Sequence, residues 1–397
     1  MRRLFTLSLL ALFGLAKIVA QDTGTGYVDD GYYRIRNYGT ERYIYVTDNK
    51  DYYDITHDKE DFQAIQLWKN AEKAISDPAS VIYIEKRTET TFDLKAQGTG
   101  VHSLTNYYVN VTRQRDGTYE VSATKTVGGT SVTKYLYDGK TSTTAQQGSL
   151  GTTGLDDNRK WIVDKIETDH SINYVGIKPT IEVGGLYYQP FYASFPFRAV
   201  SPDTHIYYIS NVEGDLALLQ EIEGDVPGGT PVIIECASAN PSDNRIEVLI
   251  STSATITGNK LSGVYFCNGK RPKESVDAYK RFDVETMRLL SVSNGKLALT
   301  DTAPDNTIMV NNYTTYTQEP AVCLFANTSY YIADANTPSV IELTDDPTSI
   351  KNIAVKDKET VAEGVYSISG TKLRQTNDTQ GLPVGLYIVG GKKIAIK

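Results

Sequence analysis

Short runs of alternating apolar and polar residues, separated by turn residues about every ten positions, restrict this chain to β structure. In Tyr32–Asn37, Arg42–Thr47 and Lys160–Ile166, every second side chain falls on the same face of a strand. Helical periodicity is nearly absent, and the best candidate helix spans Asp61–Ile75. The 28 tyrosines, beside only 3 methionines, also favour strands. The sequence therefore predicts an all-β fold of sandwiches or barrels.

The first 20 residues are typical of a secretory signal. Arg2 and Arg3 precede an apolar core, Leu4–Ala16, that is too short to span a bilayer, and Ala20 precedes the predicted cleavage point. No later stretch approaches the length of a membrane helix, so we predict no transmembrane helix in the mature chain. The signal contains three basic residues and no acidic one, so its removal changes the formal net charge from −8 to −11. This acidic balance argues against nucleic acid as a partner.

Basic and aromatic residues interleave between Tyr32 and Tyr45, a pattern that also occurs where bases stack on a protein. Strand alternation gives a simpler interpretation. Arg34 and Arg36 share one face, opposite the face that contains Ile35, so we predict that the two arginines face solvent.

An internal repeat organises the first part of the chain. Tyr43–Tyr45 is echoed by Tyr135–Tyr137, and Trp68 and Trp161 follow these two segments at similar distances. We place a middle copy at Phe92–Leu94. Three units of roughly 45 residues predict a three-lobed barrel, in which each lobe supplies large side chains to a shared core.

The region from Gly31 to Ile166 resembles the ricin-type β-trefoil, whose repeats often end in Gln-x-Trp. Gln66-Leu67-Trp68 matches this motif, and Arg159-Lys160-Trp161 matches it with arginine in place of glutamine. The resemblance implies that the tryptophans belong to the core and that sugar contacts lie on loops inside each repeat. The candidate ligand-binding residues at the matching loop positions are Asp48, Asn49, Asp51 and Tyr52 in the first unit and Asp138 in the third.

The predicted organisation has five segments: a signal peptide over 1–20, a β-trefoil-like module over 21–169, a β-sandwich over 170–343, a polar linker over 344–364 and a small β module over 365–397. The stretch Tyr187–Phe197, followed by Gly-Asp-Val-Pro-Gly-Gly-Thr-Pro-Val-Ile-Ile, resembles β-rich middle domains of surface proteins from Gram-negative gut and mouth bacteria.

The last module contains Tyr-Ser-Ile-Ser-Gly, then Leu-Pro-x-Gly-Leu-Tyr-Ile-Val, then Gly-Lys-Lys. In this order and spacing it resembles the C-terminal sorting domain of type IX secretion. The resemblance implies contact with the secretion machinery and either cleavage or anchoring at the cell surface. A small β module that merely caps the chain is the alternative, since lysines on an exposed edge strand also discourage unwanted strand addition.

Residues suited to catalysis or metal binding form no motif in this chain. The sequence contains no Gly-x-Ser-x-Gly elbow. None of the four histidines, which are His57, His102, His170 and His205, belongs to a His-Glu-x-x-His motif. The acidic stretches Asp301–Asn306 and Asp305–Asn312 lack the spacing of a calcium loop, and we predict that they are turns. We therefore predict no catalytic residue, no metal and no cofactor.

The three cysteines, Cys236, Cys267 and Cys323, each lie in an apolar stretch. This placement predicts buried thiols that pack as small apolar residues. One disulfide with one leftover thiol is the alternative.

These observations lead us to expect an exported, non-enzymatic protein at the outer-membrane-associated surface of a Gram-negative bacterium. Its expected partner is a glycan or glycoprotein, because sugars stack on tyrosine rings and form hydrogen bonds with Asp and Asn side chains. A structural or adhesive surface protein without a sugar site is the alternative. A glycan-directed hydrolase with a carboxylate pair is a more distant one.

Overall fold

The computed structural model of this protein is nearly all β. It describes residues 28–46, 65–68, 71–97, 102–103, 109–139, 148–151, 157–265, 279–312, 317–346, 364–367, 372–389 and 392–396. Contacts divide the chain into two units. The first consists of Met1–Val46, Lys50–Ala74 and Ala79–Lys165, and the second contains Thr47–Asn49, Ile75–Pro78 and Ile166–Lys397.

Eleven strands belong to the first unit: β1 Gly31–Asn37, β2 Tyr43–Val46, β3 Ile65–Trp68, β4 Ile82–Lys86, β5 Phe92–Ala96, β6 His102–Ser103, β7 Asn110–Arg113, β8 Tyr119–Val127, β9 Thr130–Asp138, β10 Gly148–Gly151 and β11 Trp161–Lys165. Among the residues that the structure describes, the helical elements are one α-helix, α1 Ala71–Ser76, and two 3₁₀ turns, Pro78–Ser80 and Asp157–Arg159. Six strands close a ring through antiparallel pairs in the order β1–β4–β5–β7–β8–β11–β1.

The ring has a threefold repeat in its register. The first lobe begins with β1 and ends with β4, the second runs from β5 to β7, and the third runs from β8 to β11. In each lobe the first and last strands meet at an equivalent pair of residues: Tyr33 with Ile82, Phe92 with Val109, and Tyr119 with Trp161. Between these strands, β2 and β3 form a hairpin in the first lobe, and β9 and β10 form one in the third. This connectivity is that of a β-trefoil, so the prediction of a trefoil-like barrel is confirmed.

The register also fixes which residues of the lobes are equivalent. The residue three positions after Tyr33, Phe92 or Tyr119 pairs with the second strand of its lobe. These equivalent pairs are Arg36↔Tyr43, Lys95↔Ser103 and Ser122↔Tyr135. Tyr43 and Tyr135 are therefore equivalent, as predicted. The predicted middle copy at Phe92–Leu94 is wrong, because the counterpart of Tyr43 is Ser103. Phe92 instead begins the second lobe and corresponds to Tyr33.

The two tryptophans do not occupy equivalent positions. Trp68 lies in β3 opposite Tyr43, whereas Trp161 begins β11, the last strand of the third lobe. The counterpart of Trp161 in the first lobe is Ile82, which follows the 3₁₀ turn Pro78–Ser80. The Gln66-Leu67-Trp68 segment is therefore not the structural equivalent of Arg159-Lys160-Trp161.

Both faces of β1 are covered. Ile35 and Asn37 point into the barrel and are buried, as their alternation predicts. The prediction that Arg34 faces solvent is wrong, because this side chain is only 1% exposed. Its Nε donates to the carbonyl of Ala74 in α1 and to Ser80 Oγ, each at 3.0 Å.

The candidate helix over Asp61–Ile75 is replaced by strand β3 and the six-residue α1.

Between residues 175 and 344, the described part of the second unit contains fifteen strands: β12 Val175–Gly176, β13 Ile181–Val183, β14 Leu186–Phe191, β15 Phe197–Ala199, β16 His205–Glu213, β17 Leu216–Glu221, β18 Val232–Cys236, β19 Arg245–Val248, β20 Leu261–Val264, β21 Met287–Ser293, β22 Lys296–Thr300, β23 Thr307–Asn312, β24 Thr317–Val322, β25 Thr328–Ile332 and β26 Val340–Thr344. Ten of them form one sheet in the order β13-β14-β18-β16-β17-β26-β22-β21-β25-β20, with β17 and β26 parallel.

The ten-stranded sheet bends over a single core, which makes this part of the chain a sandwich. Strand β14 packs beside β25, and β13 packs beside β21. Apolar side chains from eight of the strands fill the space between the two halves, at Tyr188, Ile209, Ala217, Ile233, Leu261, Leu290, Leu297, Leu299 and Ile341. Burial of this apolar area is the main stabilising term for the sandwich.

Smaller sheets accompany the sandwich. Strand β19 lies between β12 and β15, and β23 pairs with β24 as a hairpin. The prediction of a turn over Asp305–Asn312 is wrong, because Val310 is buried against Ala321 and Cys323 across that hairpin. Cys236 and Cys323 are buried, as predicted, and Cys267 lies outside the described residues.

Four strands form the last module: β27 Val365–Ser367, β28 Lys372–Arg374, β29 Gly385–Val389 and β30 Lys392–Ile396. They pair in the order β28-β27-β29-β30, so β30 is an edge strand. Along this edge the side chains from Lys392 to Ala395 are exposed. No helix in the described part of the chain is both long and apolar enough to cross a membrane.

Candidate functional site

The predicted ligand residues of the first lobe lie in the connection between β2 and β3. This connection spans residues 47–64, so Asp48, Asn49, Asp51 and Tyr52 fall outside the described residues. Asp138, predicted for the third lobe, is the last residue of β9 and is described. The structure therefore places one of the five predicted residues.

Asp138 is completely buried, and its carboxylate is bound by other side chains of the first unit. Arg42 Nε donates to Oδ2 at 2.7 Å, and Arg42 Nη2 donates to Oδ1. Thr40 Oγ1 donates to Oδ2 as well. Because both carboxylate oxygens are occupied and shielded from water, Asp138 ties the end of β9 to the β1–β2 turn and does not present an acceptor at the surface.

The register gives a second reason to separate Asp138 from Asp48. Tyr43 and Tyr135 are equivalent, so the positions three residues later, Val46 and Asp138, are also equivalent. Asp138 therefore lies two residues before the position that matches Asp48. The prediction that Asp138 lies at a loop position matching those of the first unit is wrong, because Asp138 is the last residue of a strand.

The turn that supplies Thr40 and Arg42 is shaped by Asn37. Its side-chain oxygen accepts hydrogen bonds from the backbone N–H groups of Gly39 and Thr40, both at 3.0 Å. Its side-chain nitrogen donates to the carbonyl of Asn158 at 2.7 Å. One buried amide thereby joins the first lobe to the third and holds the β1–β2 turn in a fixed position.

Arg159 stands where the trefoil motif would place glutamine, and it is 5% exposed. Its guanidinium lies 3.6 Å from the centre of the Tyr135 ring, and Nη2 donates to Glu120 Oε1 at 3.1 Å. Trp161 is fully buried and donates from Nε1 to the carbonyl of Leu136 at 3.0 Å. These contacts make both residues part of the barrel structure, as predicted for Trp161.

A polar surface next to this motif contains the better-placed groups for a ligand, and we call it the Lys160 surface. Lys160 Nζ lies 2.9 Å from Asp116 Oδ2, 3.2 Å from Asp157 Oδ1 and 5.6 Å from the centre of the Tyr38 ring. Asp157 and Asp116 are about half exposed. These four residues were not predicted, because Tyr38, Asp116 and the segment with Asp157 and Lys160 are distant from one another in the sequence.

The carboxylate of Asp116 stays ionised at any physiological pH. Hydrogen bonds from Thr118 and Lys160 lower the pKa of Asp116 to about 2. An ionised carboxylate has about four lone-pair positions, so its bonds to Thr118 and Lys160 leave capacity for further donors. The Lys160 surface thus combines an aromatic ring, two acceptors and a cation, a set of groups that can bind hydroxyl-rich molecules.

The two histidines whose side chains are described both have structural partners. His205 Nδ1 lies 2.7 Å from Glu221 Oε1 at an exposed position, and His170 Nδ1 accepts backbone hydrogen bonds. Among the described residues, no group of three or more His, Cys, Asp and Glu side chains is placed to hold a metal ion.

Comparison with known proteins adds little to this geometry. No family model matches the chain, and no curated protein matches it. A solved structure described as the structure and mode of action of a mosquitocidal holotoxin aligns with 78% of this chain and 35% of the toxin chain, at 10% identity and a TM-score of 0.26. At that TM-score the likeness supports no statement about fold or function.

Proposed function

We propose that this protein is an exported cell-surface protein that binds a glycan or glycoprotein through its first unit, without catalysis. The observation that carries the proposal is the Lys160 surface. Tyr38 offers a ring for the C–H face of a sugar, and Asp116 and Asp157 accept hydrogen bonds from its hydroxyl groups. The sequence predicts a second set of such groups at Asp48, Asn49, Asp51 and Tyr52, which lie outside the described residues.

A glycan-array screen of the signal-free chain tests this proposal. We expect binding to one sugar class that weakens by about tenfold or more when groups on the binding surface are removed, because tenfold corresponds to about 1.4 kcal/mol. One variant, Tyr38→Ala with Asp157→Ala, removes the ring and one carboxylate of the Lys160 surface. A second, Asp51→Ala with Tyr52→Ala, alters the β2–β3 connection.

Glu89→Ala is the matched control, because Glu89 is an exposed acid in the β4–β5 turn of the same unit. Loss in only one of the two variants identifies the site. Loss in the control as well would indicate a non-specific charge effect. A folded protein that binds nothing across the array would reject the proposal.

A structural or adhesive role is the second candidate, and exposed apolar side chains in the second unit favour it. Ile172, Ile332 and Phe325 are 67%, 58% and 53% exposed, respectively. Apolar residues on a surface suit contact with another protein when they adjoin one another. A blank array together with saturable binding to a purified surface protein would favour this role.

We also propose that the last module is an export address. Its exposed edge strand β30 carries Lys392 and Lys393, and Leu386 on the neighbouring β29 is 44% exposed. An exposed edge of this kind can be read by another protein through strand pairing. We expect that deleting residues 365–397 retains the protein in the periplasm of a host with type IX secretion, as measured by fractionation. Normal surface delivery of the truncated chain would contradict the proposal.

A further inference from the structure

The turn that begins at His170 is held by its imidazole ring. Nδ1 accepts hydrogen bonds from the backbone N–H groups of Ile172 at 3.1 Å and Asn173 at 2.9 Å. Two backbone bonds close the same loop, from His170 N to the carbonyl of Glu167 and from Glu167 N to the carbonyl of Asn173, both at 3.1 Å. Since Nδ1 accepts two protons, the ring must be neutral, with its own proton on Nε2.

Asn37 in the same chain forms the equivalent motif with an amide. Its side-chain oxygen accepts from the second and third following N–H groups, at Gly39 and Thr40, as Nδ1 of His170 does. Asn and Asp are the usual residues in this role. The amide of Asn37 keeps its acceptor at any pH, whereas an imidazole loses its acceptor when it is protonated. Histidine at position 170 therefore makes a common turn dependent on pH.

We propose that His170 is a pH-sensitive latch on the loop over residues 167–173. The neutral ring holds the N–H groups of Ile172 and Asn173 through its Nδ1 acceptor. Protonation places a hydrogen on Nδ1, so the ring can no longer accept these bonds and releases both N–H groups. The release affects a loop whose tip is apolar and accessible, since Ile172 is 67% exposed. Acidification thereby changes how the second unit presents this side chain.

The other half of the loop does not depend on the imidazole. Arg245, on β19, donates from Nη1 to the carbonyls of Thr168 at 2.8 Å and His170 at 3.1 Å. The same guanidinium lies 3.8 Å from the centre of the Tyr174 ring. Arg245 keeps its charge at all relevant pH values, so opening is confined to the part of the loop after His170.

The charged groups around the latch act in opposite directions. Arg245 is a cation beside the backbone of His170, and it disfavours a second positive charge there. Glu167 and Asp169, on the loop itself, favour protonation, and Asp243 partly offsets Arg245, with which it interacts electrostatically. The comparison with His170→Asn separates the effect of the imidazole from that of these groups, because the substitution leaves all of them in place.

Hydrogen–deuterium exchange of the signal-free full chain tests the latch. We expect peptides over residues 166–175 to exchange about tenfold faster at pH 5 than at pH 7.5 after correction for the intrinsic exchange rate, which corresponds to losing about one net hydrogen bond. In His170→Asn, which copies the motif of Asn37, protection is expected to be the same at both pH values. His205→Asn, which changes the other histidine whose side chain is described, is expected to behave like the native chain.

Two outcomes would overturn the proposal. One is equal loss of protection in the native chain and in His170→Asn, which would assign the effect to other groups. The other is unchanged protection of the native chain at pH 5. Peptides from β16 and β17 report whether each variant is folded. If His170→Asn does not fold, an NMR titration of the native chain decides, because the His170 ring and the Ile172 amide must then change with the same midpoint.

Discussion

Chemical denaturation of Arg288→Met is expected to show a second unit that is less stable than the native one by about 3–5 kcal/mol. Arg288 lies in β21 and is only 5% exposed. Methionine retains most of the length and apolar contact of the arginine stem, so the change mainly removes the guanidinium. Urea-dependent hydrogen exchange of peptides from β21 and β22 measures the loss within this unit.

The large effect follows from what the guanidinium binds. Its nitrogens donate to four backbone carbonyls, those of Val284 at 2.6 Å, Pro338 at 2.7 Å, Met287 at 2.8 Å and Thr337 at 2.9 Å. These carbonyls belong to two segments distant in the sequence, and the arginine joins them. A buried carbonyl without a donor costs about 1–3 kcal/mol, and local relaxation recovers part of the sum.

Arg198→Met is the matched control. Arg198 lies in β15 of the same unit, its side chain is 44% exposed, and Nε donates to Glu247 at 2.8 Å. An exposed ion pair of this kind is screened by solvent and contributes little, so this variant should remain close to the native stability. Equal destabilisation by the two substitutions would show that the carbonyl contacts of Arg288 contribute no more than a surface pair.

The sequence predicts the strands of this protein better than it predicts what covers them. Alternation correctly places Ile35 and Asn37 of β1 on one buried face. It also predicts that Arg34 lies on the opposite face, but it cannot show that α1 and the 3₁₀ turn before β4 cover that face. A period of two gives the direction of a side chain, whereas exposure depends on tertiary contacts.

The repeat could be identified from the sequence, but the equivalent residues in all three lobes could not. The equivalence of Tyr43 and Tyr135 is visible as a repeated motif, and the strand register confirms it. The second lobe has Ser103 at this position, so no aromatic residue marks it, and Phe92 was the nearest substitute. Only the pairing of strands reveals the equivalent residue where the side chain has changed.

The candidate site was harder to predict than the fold. Tyr38 lies in the β1–β2 turn, Asp116 in the β7–β8 turn and Lys160 directly before β11. Only the closed barrel brings these three segments together. Nothing in the local sequence of any one of them indicates the others. Asp138 shows the opposite difficulty, since an aspartate at the end of a strand resembles a ligand residue until its buried partner Arg42 is known.

Asp138→Ala is expected to destabilise the first unit by about 3–5 kcal/mol, because it leaves the guanidinium of Arg42 buried without its carboxylate. The side chains of Arg42 and Asp138 are 9% and 0% exposed, so water cannot replace the lost partner without rearrangement. Both tryptophans of the chain belong to the first unit, so tryptophan fluorescence during urea unfolding reports on it.

A double substitution separates the cost of an unpaired charge from the contribution of the pair. Arg42→Met with Asp138→Leu removes both charges, and its stability is expected to lie within about 1–2 kcal/mol of the native chain, since apolar groups often replace a buried ion pair at little cost. Asp116→Asn, in the exposed pair with Lys160, is the control and should leave the stability close to that of the native chain. If Asp138→Ala is no more harmful than this control, the buried pair does not hold the two lobes together.

The same variants distinguish a structural aspartate from a ligand-binding one. If Asp138 only anchors the end of β9, the doubly substituted chain should bind any glycan found on the array as tightly as the native chain does. Asp138→Ala should then lose binding only under conditions in which tryptophan fluorescence shows that the first unit has unfolded. Loss of binding by a fully folded double variant would instead mean that the carboxylate reaches the ligand, which its complete burial between Arg42 and Thr40 argues against.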